Sequence, residues 1–296
     1  MNAASPELAT SARPYLAPLT LTPDPTDERI VDHLHAHPDF TKHCPGYSTV
    51  EISALASRGE SAYDAPLTIT QDGYVVDGYA LWQLAKLQKR PTIRCIVRQM
   101  NREQALLFMI DRNRGSKGIN DFVRILLALE LEPWFKERAK LNQRIGGRQK
   151  GSSQLTEAHR VDVRQKIALA AGVSVANVSK VKHILEDAVP EVQEALRLGE
   201  ISICRGADWA RISPTSQHRR LADGRQRRGI HRTINILLKK HNSSHPRVCD
   251  GLRDVQRGLG KLQHEDCLSP LLEPLGSVIR GIALLLLLPE VPDREA

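Results

Sequence analysis

The sequence lacks the features that mark secreted, disulfide-stabilised and membrane-spanning proteins. Its five cysteines are odd in number and widely spaced, and they include no CxxC pair, so no disulfide framework is indicated. The N-terminus has no basic start followed by a continuous apolar core, as a secretory signal would have. The longest apolar run, residues 282–288, is far shorter than the roughly twenty residues that a membrane span requires. We therefore expect a cytoplasmic protein with no membrane partner.

A metal centre is not expected either. A stretch that contains His33, His35, His37, His43 and Cys44 offers candidate zinc ligands. A tetrahedral zinc site needs a second ligand cluster at a defined spacing, and none follows in the sequence. We therefore predict no metal-binding residues.

The charge of the chain indicates a polyanionic partner. Forty-two Lys and Arg against thirty-four Asp and Glu give a net charge of +8, and the isoelectric point is near 9.4. Between residues 136 and 182, eleven basic and three acidic residues leave a local charge of +8, which equals the excess of the whole chain. The positive charge is thus concentrated in one part of the sequence.

Within that part, residues 165–187, QKIALAAGVSVANVSKVKHILED, have the spacing of a helix-turn-helix. Ala168 is small enough for a second helix to cross closely, Gly172 can adopt the left-handed turn conformation, and Val178 anchors the second helix. The alternative is an ordinary helical hairpin in an all-helical domain. The surrounding charge favours double-stranded DNA as the partner.

Two groups of residues are predicted to contact DNA. The second helix presents short polar and basic side chains suited to base edges and phosphates: Ser174, Ala176, Asn177, Ser179, Lys180, Lys182 and His183. Residues 144–156, rich in Gly, Ser and Gln, are expected to form a mobile loop whose basic residues follow the phosphate backbone: Arg144, Arg148 and Lys150. The alternative for the loop is a solubilising linker.

The N-terminal half has an alternating strand and helix pattern. Strands over Leu67–Thr70 and residues 74–76 flank an Asp-Gly turn and predict a hairpin. A helix follows Asp77-Gly78, a strand covers residues 92–97, and Asn101 is placed to cap a further helix. Asp77 is expected to cap the helix that it precedes, with a role at a phosphate site as the alternative.

This run, PLTITQDGYVVDGYALWQLAKLQKRPTIRCIVRQMNREQALLFMIDRNRGSKGINDF, resembles the N-terminal domain of the ParB/sulfiredoxin superfamily. The helix-turn-helix follows at the distance expected of ParB-like partition proteins. The resemblance implies an α+β fold in which a small mixed-sheet N-terminal domain precedes an all-α helix-turn-helix domain and a helical C-terminal region. The predicted boundaries are a flexible arm at 1–28, the ParB/sulfiredoxin-like domain at 29–118, a helical DNA-binding domain at 119–205 and the C-terminal region at 206–296.

The resemblance implies a DNA-binding protein that acts in plasmid or chromosome partition, or in transcriptional regulation of a mobile element. It also implies a partition ATPase as a candidate partner. The alternative within the superfamily is a CTP-dependent clamp or a nucleotide-using enzyme, either a phosphotransferase or a nuclease. A third alternative is an adaptor that docks protein partners through the N-terminal domain.

The superfamily's nucleotide pocket is only half retained. ParB-like proteins typically carry a Gly-x-Arg-Arg pattern, whose guanidinium groups bind phosphates, but here Gly78 is followed by Tyr-Ala-Leu-Trp. The residues that match the nucleotide-contacting positions are Gly78, Asn113, Arg114 and Lys117. CTP is therefore a candidate ligand, no other cofactor is expected, and no catalytic residue is predicted. The sulfiredoxin cysteine segment is absent, and Cys95 is expected to be a small core residue.

The C-terminal third combines basic and apolar stretches. The basic run contains one acidic residue, Asp223, and either forms a solvated helix face or a second DNA-contacting surface: Arg219, Arg220, Arg225, Arg227, Arg228, Arg232, Lys239 and Lys240. The apolar segment at residues 271–288 must pack on the protein or on a second subunit, so a homodimer is a candidate assembly.

Overall fold

The computed structural model describes residues 25–44, 46–47, 49–114, 119–148, 162–241, 245–261 and 269–287 of the 296-residue chain. The chain divides into two compact units. The first consists of residues 1–187 and 193–208, and the second of residues 188–192 and 209–296. Within the described ranges, no helix combines the length and the apolar character needed to cross a bilayer.

The first unit contains a five-stranded mixed sheet. Its strands are β1 (Thr26–Ile30), β2 (His35–Ala36), β3 (Leu67–Thr70), β4 (Tyr74–Asp77) and β5 (Thr92–Arg98), in the spatial order β1-β5-β3-β4-β2. β3 pairs antiparallel with β4 and parallel with β5, while β1 pairs antiparallel with β5 and β2 parallel with β4. The predicted hairpin and the third predicted strand are therefore present, with Gly73 at the turn in a left-handed conformation (φ +80°).

The predicted N-terminal arm is corrected at its end, because residues 26–28 belong to β1. This strand lies at the edge of the sheet, and all five of its residues are exposed. An edge strand that carries charged residues shows no alternation of apolar and polar side chains, so its sequence does not reveal it. The strand is recognised only by its pairing with β5. The earlier part of the predicted arm, residues 1–24, lies outside the described residues.

Helices lie between the strands and after the last strand along the chain. They are α1 (Pro38–His43), α2 (Thr49–Ala56), α3 (Tyr79–Leu87), α4 (Arg102–Arg112), α5 (Asp121–Leu129), α6 (Glu132–Arg148), α7 (Val163–Ala171), α8 (Val175–Asp187), α9 (Pro190–Arg197) and α10 (Ile203–Trp209). Asn101 caps α4 through a reciprocal bond with Gln104, as its position in the sequence predicts. The predicted fold class, a small mixed sheet followed by helices, is confirmed.

The core of the sheet domain lies between the strands and α3. Leu67, Ile69, Leu84 and Ile93 are buried in it together with Cys95, which is fully buried. Burial raises the pKa of the Cys95 thiol to about 11, so the thiol is protonated and inert at neutral pH. The expectation that Cys95 is a core residue is confirmed.

The loop predicted over residues 144–156 is wrong at its start, since α6 extends to Arg148. A glycine inside a helix costs about 1 kcal/mol relative to alanine, and an established helix tolerates that cost. The backbone of Arg144 and Arg148 is thus helical, whereas their side chains lie outside the described atoms. Lys150 and the rest of the predicted loop up to residue 156 also lie outside the described residues.

Two residues of the histidine stretch, His37 and His43, lie in a polar network, whereas His33 and His35 are exposed. Arg102 donates two hydrogen bonds to the Asp39 carboxylate (2.9 and 2.8 Å), and His43 Nε2 lies 2.7 Å from Glu130 Oε1. His37 and His43 are both buried, and burial lowers the pKa of each imidazole. In the described part of the chain, no group of three or more His, Cys, Asp or Glu residues is arranged to hold a metal ion.

Among the described residues of the second unit, three further helices follow α10. They are α11 (Pro214–His241), α12 (Pro246–Lys261) and α13 (Ser269–Leu287), and α11 packs against both of the others. Their shared core is apolar and consists of Ile230, Ile234, Leu237, Leu252, Leu259, Leu272 and Ile279. The apolar C-terminal segment is thus partly buried within its own unit.

Candidate nucleic-acid interface

Local capping interactions define the α7–α8 pair. Asp162 caps α7 by accepting hydrogen bonds from the backbone N–H groups of Arg164 and Gln165 (2.9 and 3.3 Å). At the other end, Gly172 has φ +68°, as the sequence predicts, and Val173 N–H donates to the Ala168 carbonyl (3.0 Å). This is the Schellman arrangement, in which a left-handed residue ends a helix and lets the chain turn sharply.

Helix α8 begins directly after this turn and has one buried face. Ser174 Oγ accepts a hydrogen bond from Asn177 N–H (3.3 Å), which caps the first turn of α8. Val178, Val181 and Ile184 are completely buried. Since α5 packs against both α7 and α8, the buried face fixes the position of α8 in the first unit.

The opposite face of α8 carries the predicted DNA-contacting residues. Ser174, Ala176 and Ser179 are exposed, whereas Asn177 and His183 are half-buried. Ser179 Oγ donates to the Val175 carbonyl (3.3 Å) and His183 Nδ1 lies 2.7 Å from Asp187 Oδ2. The structure therefore brings short polar side chains together at the N-terminal half of α8, while an acidic pair, Glu186 and Asp187, occupies its C-terminal end.

The two lysines of α8 have different surroundings. Lys180 Nζ donates to Cys204 Sγ on α10 (3.2 Å). Lys182 Nζ lies 2.9 and 2.8 Å from the two carboxylate oxygens of Glu132 on α6. Burial alone would raise the pKa of Glu132, but the hydrogen bonds from Lys182 and Lys136 outweigh it, so the pKa is lowered. Lys182 is thus held by a carboxylate of the protein, which sequence reasoning did not anticipate.

The candidate nucleotide site is centred on the start of α3. Gly78 has φ +82°, and a Cβ at this position would lie 2.6 Å from Leu67 Cδ2, so only glycine fits. The sequence predicted that Asp77 caps α3, and this prediction is wrong. Asp77 Oδ1 accepts from Gly78 N–H (2.9 Å) and its Oδ2 from Arg112 Nε (2.7 Å). The bond from Arg112 was not predicted from the sequence, because the two residues are 35 positions apart and meet only when α4 packs beside β4.

Aromatic rings line the first turn of α3 where the superfamily pattern has guanidinium groups. The ring of Tyr79 lies 4.7 Å from Phe40, 6.1 Å from Tyr47 and 5.3 Å from Trp82, measured between ring centroids. Burial, with smaller contributions from nearby groups that include Cys44, raises the pKa of Tyr47 to about 12. This surface suits apolar packing better than phosphate binding.

The other predicted nucleotide contacts bond to the protein's own backbone. Asn113 Nδ2 donates to the Met109 carbonyl at the end of α4 (2.7 Å). Arg114 Nη2 donates to the carbonyls of Leu169 and Ala170 (2.9 Å each) at the end of α7. Lys117 lies outside the described residues. The structure therefore places Arg114 at the α7–α8 pair.

The predicted second basic surface lies on α11. Arg225, Arg232, Lys239 and Lys240 are exposed, and Arg227 and Arg228 are half-buried. An open groove on α11 is lined by Arg228, His231, Arg232, Asn235, Ile236 and Lys239. Positive charge thus follows one side of this helix through several turns.

No protein-family model and no curated protein matches this sequence. In structure, the chain is similar to solved ParB chains. A C-terminally truncated chromosome-partitioning protein ParB from Caulobacter crescentus, complexed to the centromeric parS site, is 17% identical over 79% of this chain and 99% of its own, with a TM-score of 0.35. A structure of that ParB complexed with CTP-gamma-S is 18% identical over 64% of this chain and 94% of its own, with a TM-score of 0.28. A pNOB8-like ParB N-domain is 15% identical over 88% of this chain and 96% of its own, with a TM-score of 0.41.

Proposed function

We propose that the chain is a ParB-like, sequence-specific DNA-binding protein in which α7 and α8 form a helix-turn-helix and α8 enters the major groove. The observation that carries the proposal is the outward face of α8, where Ser174, Ala176 and Ser179 are exposed beside Asn177 and Lys180. Short side chains let a helix approach base edges closely. An amide can bond adenine bidentately, and a lysine can donate to guanine.

Electrostatics support the same partner. The local charge of +8 over residues 136–182 lies before α7 and within α7 and α8 in the sequence. Lys and Arg that neutralise phosphates release counterions, which gives affinity that depends on salt but not on sequence. Affinity would therefore come mainly from the basic residues, and specificity from the outward face of α8.

The test compares cognate with random DNA. The cognate site is first identified by sequencing the DNA that co-purifies with the protein. We expect Asn177→Ala and Lys180→Ala to weaken cognate binding by about 5- to 150-fold, the range for losing one good base contact, and to weaken random binding much less. Lys86→Ala on α3 is the matched control, since it removes one exposed positive charge away from α8. Equal losses on both DNAs would contradict the base-reading role.

Partition of a plasmid or chromosome is the proposed biological role, with a partition ATPase as a partner. Transcriptional regulation of a mobile element would use the same reading helix. The location of the cognate site discriminates between them. A cluster of sites outside promoters supports partition, and a single site that overlaps a promoter supports regulation.

A nucleotide-dependent clamp is the second candidate, because Gly78 stands at the start of α3 and Asn113 and Arg114 follow α4, at the positions that the resemblance assigns to nucleotide contacts. The aromatic lining of that turn and the backbone bonds of Asn113 and Arg114 favour a domain that binds no nucleotide. We expect isothermal titration with CTP and with ATP to give no binding heat. Measurable heat with CTP would instead support the clamp.

We also propose a homodimer that forms through α13. Leu271, Val278 and Leu284 are exposed there by 63%, 58% and 68%. A dimer would bury these apolar side chains and carry two copies of the reading helix. Sedimentation equilibrium of wild type and of a Leu271→Glu, Val278→Glu variant measures it, and an unchanged mass would contradict the proposed surface.

A further inference from the structure

Arg114 connects the end of α4 to the end of α7. Its Nη2 donates to the Leu169 and Ala170 carbonyls, which are 55 and 56 residues further along the chain. The last carbonyls of a helix lack partners within the helix, and they form the negative end of its dipole. A guanidinium group satisfies both requirements, because it supplies hydrogen-bond donors and positive charge at the same point.

The same guanidinium also encloses the turn. A Cβ at Gly172 would lie 3.2 Å from Arg114 Cζ and 3.3 Å from its Nε. Asp111 Oδ1 lies 3.6 Å from Arg114 Nε and forms an ion pair with the same guanidinium. Gly172 is therefore needed for its left-handed conformation and also for the space that the guanidinium occupies.

We propose that Arg114 is a positioning residue that fixes the α7–α8 turn and so sets the orientation of α8. This inference rests on the proposed DNA-reading function of α8. Base contacts require the reading helix to be held within a fraction of an ångström, whereas phosphate contacts tolerate small shifts. Arg114 thus contributes to sequence discrimination without touching DNA, and its Nη2 donors serve the backbone of α7 instead of a nucleotide phosphate.

The experiment compares Arg114→Ala and Arg114→Lys with Arg112→Ala. Arg112→Ala is the matched control, since it removes one guanidinium from the same region but loses a bond to Asp77 and not to α7. Four quantities are measured on the full chain: melting temperature, hydrogen exchange at residues 168–175 without DNA, the ratio of cognate to random DNA affinity, and the slope of log K against log salt.

For Arg114→Ala we expect faster exchange in the turn and a fall of about tenfold or more in the cognate-to-random ratio, the scale of one lost base contact. The salt slope should stay unchanged, because no phosphate contact is lost. Arg114→Lys keeps the positive charge but loses the paired guanidinium donors, so its cognate-to-random affinity ratio should lie between those of Arg114→Ala and wild type. Arg112→Ala should match wild type in exchange and in ratio.

Other outcomes overturn the proposal. If Arg114→Ala lowers the slope of log K against log salt by about 0.9 and leaves the cognate-to-random affinity ratio unchanged, Arg114 contacts a DNA phosphate. Binding of CTP that Arg114→Ala abolishes while specificity stays unchanged would assign Arg114 to a nucleotide. Unfolding of both Arg114 variants would make it a general stabiliser. If the wild-type protein binds cognate and random DNA equally, the proposed function fails. Hydrogen exchange at residues 168–175 then decides alone whether Arg114 holds the turn.

Discussion

The side chain of Asn120 holds two helices at once, so its removal should cost more than the loss of an ordinary helix cap. Asn120 Oδ1 accepts from Val123 N–H (3.0 Å) at the start of α5. Its Nδ2 donates to the carbonyls of Leu196 and Arg197 (2.8 and 3.0 Å) at the end of α9. One amide therefore bonds to three backbone groups at helix ends, of which the Leu196 carbonyl also accepts from Gly199 N–H (3.1 Å).

The expected magnitude follows from these three bonds. Replacing an Asn cap by Ala costs about 1 kcal/mol, and each further neutral hydrogen bond contributes about 1 kcal/mol net. Water can reach a half-buried site and replace part of this, so we expect Asn120→Ala to cost about 2–3 kcal/mol. Asn120→Asp keeps the cap but loses the donor and places a negative charge beside the α9 carbonyls, so it should cost about 2 kcal/mol.

The control is Asn101→Ala, since Asn101 caps only α4 and its loss should cost about 1 kcal/mol. Urea unfolding of the first unit is followed by the fluorescence of Trp82 and Trp134, in a Trp209→Phe background that removes the tryptophan of the second unit. If Asn120→Ala and Asn101→Ala agree within about 0.5 kcal/mol, the bonds to α9 contribute nothing and the reasoning is refuted.

Three other perturbations test different parts of the structure. Gly172→Ala forces a Cβ into a left-handed residue and should cost about 1–2 kcal/mol in the same urea assay; unchanged stability would contradict the turn geometry. Because burial lowers the pKa of His37 and His43, the folded state binds fewer protons than the unfolded state, and the free energy of unfolding should fall as the pH drops below the ordinary imidazole pKa of 6.5. Urea titrations at about pH 7.5 and 5.5 measure this, and a double His→Gln variant at these positions should show a smaller fall. If the basic side of α11 contacts DNA, Arg232→Glu and Lys239→Glu should each lower the salt slope for random DNA by about 1, and an unchanged slope would leave that side as a solvated helix face.

Local features of the structure could be predicted from the sequence because they depend on residues only a few positions apart. The Asp72-Gly73 turn, the Asn101 cap and the left-handed Gly172 are of this kind. Each reflects a conformational preference of one residue or a hydrogen bond within one helical turn. The burial of Ala168 and Val178, which are 3% and 0% exposed, follows from helical periodicity in the same way.

The partners of charged side chains could not be predicted, because charge alone does not determine which group lies opposite. Lys182 belongs to a segment with the composition of a DNA-reading helix, yet its ammonium pairs with Glu132, 50 residues earlier. The aromatic cluster around Tyr79 likewise joins Phe40 and Tyr47 from segments that carry no shared motif. Contacts of this kind exist only once helices have packed in a particular order.

The sequence by itself determined the Asp72-Gly73 turn, the Asn101 cap, the left-handed Gly172, the apolar faces of α7 and α8 and the place where positive charge accumulates, since these follow from local conformational energies and composition. Only the tertiary structure decided what Arg114 does. The family pattern assigned it to a nucleotide, but the packing of α7 brings the carbonyls of Leu169 and Ala170 within 2.9 Å of its guanidinium. An arginine binds whichever acceptors the fold places in reach, and the fold depends on contacts between residues far apart in the chain.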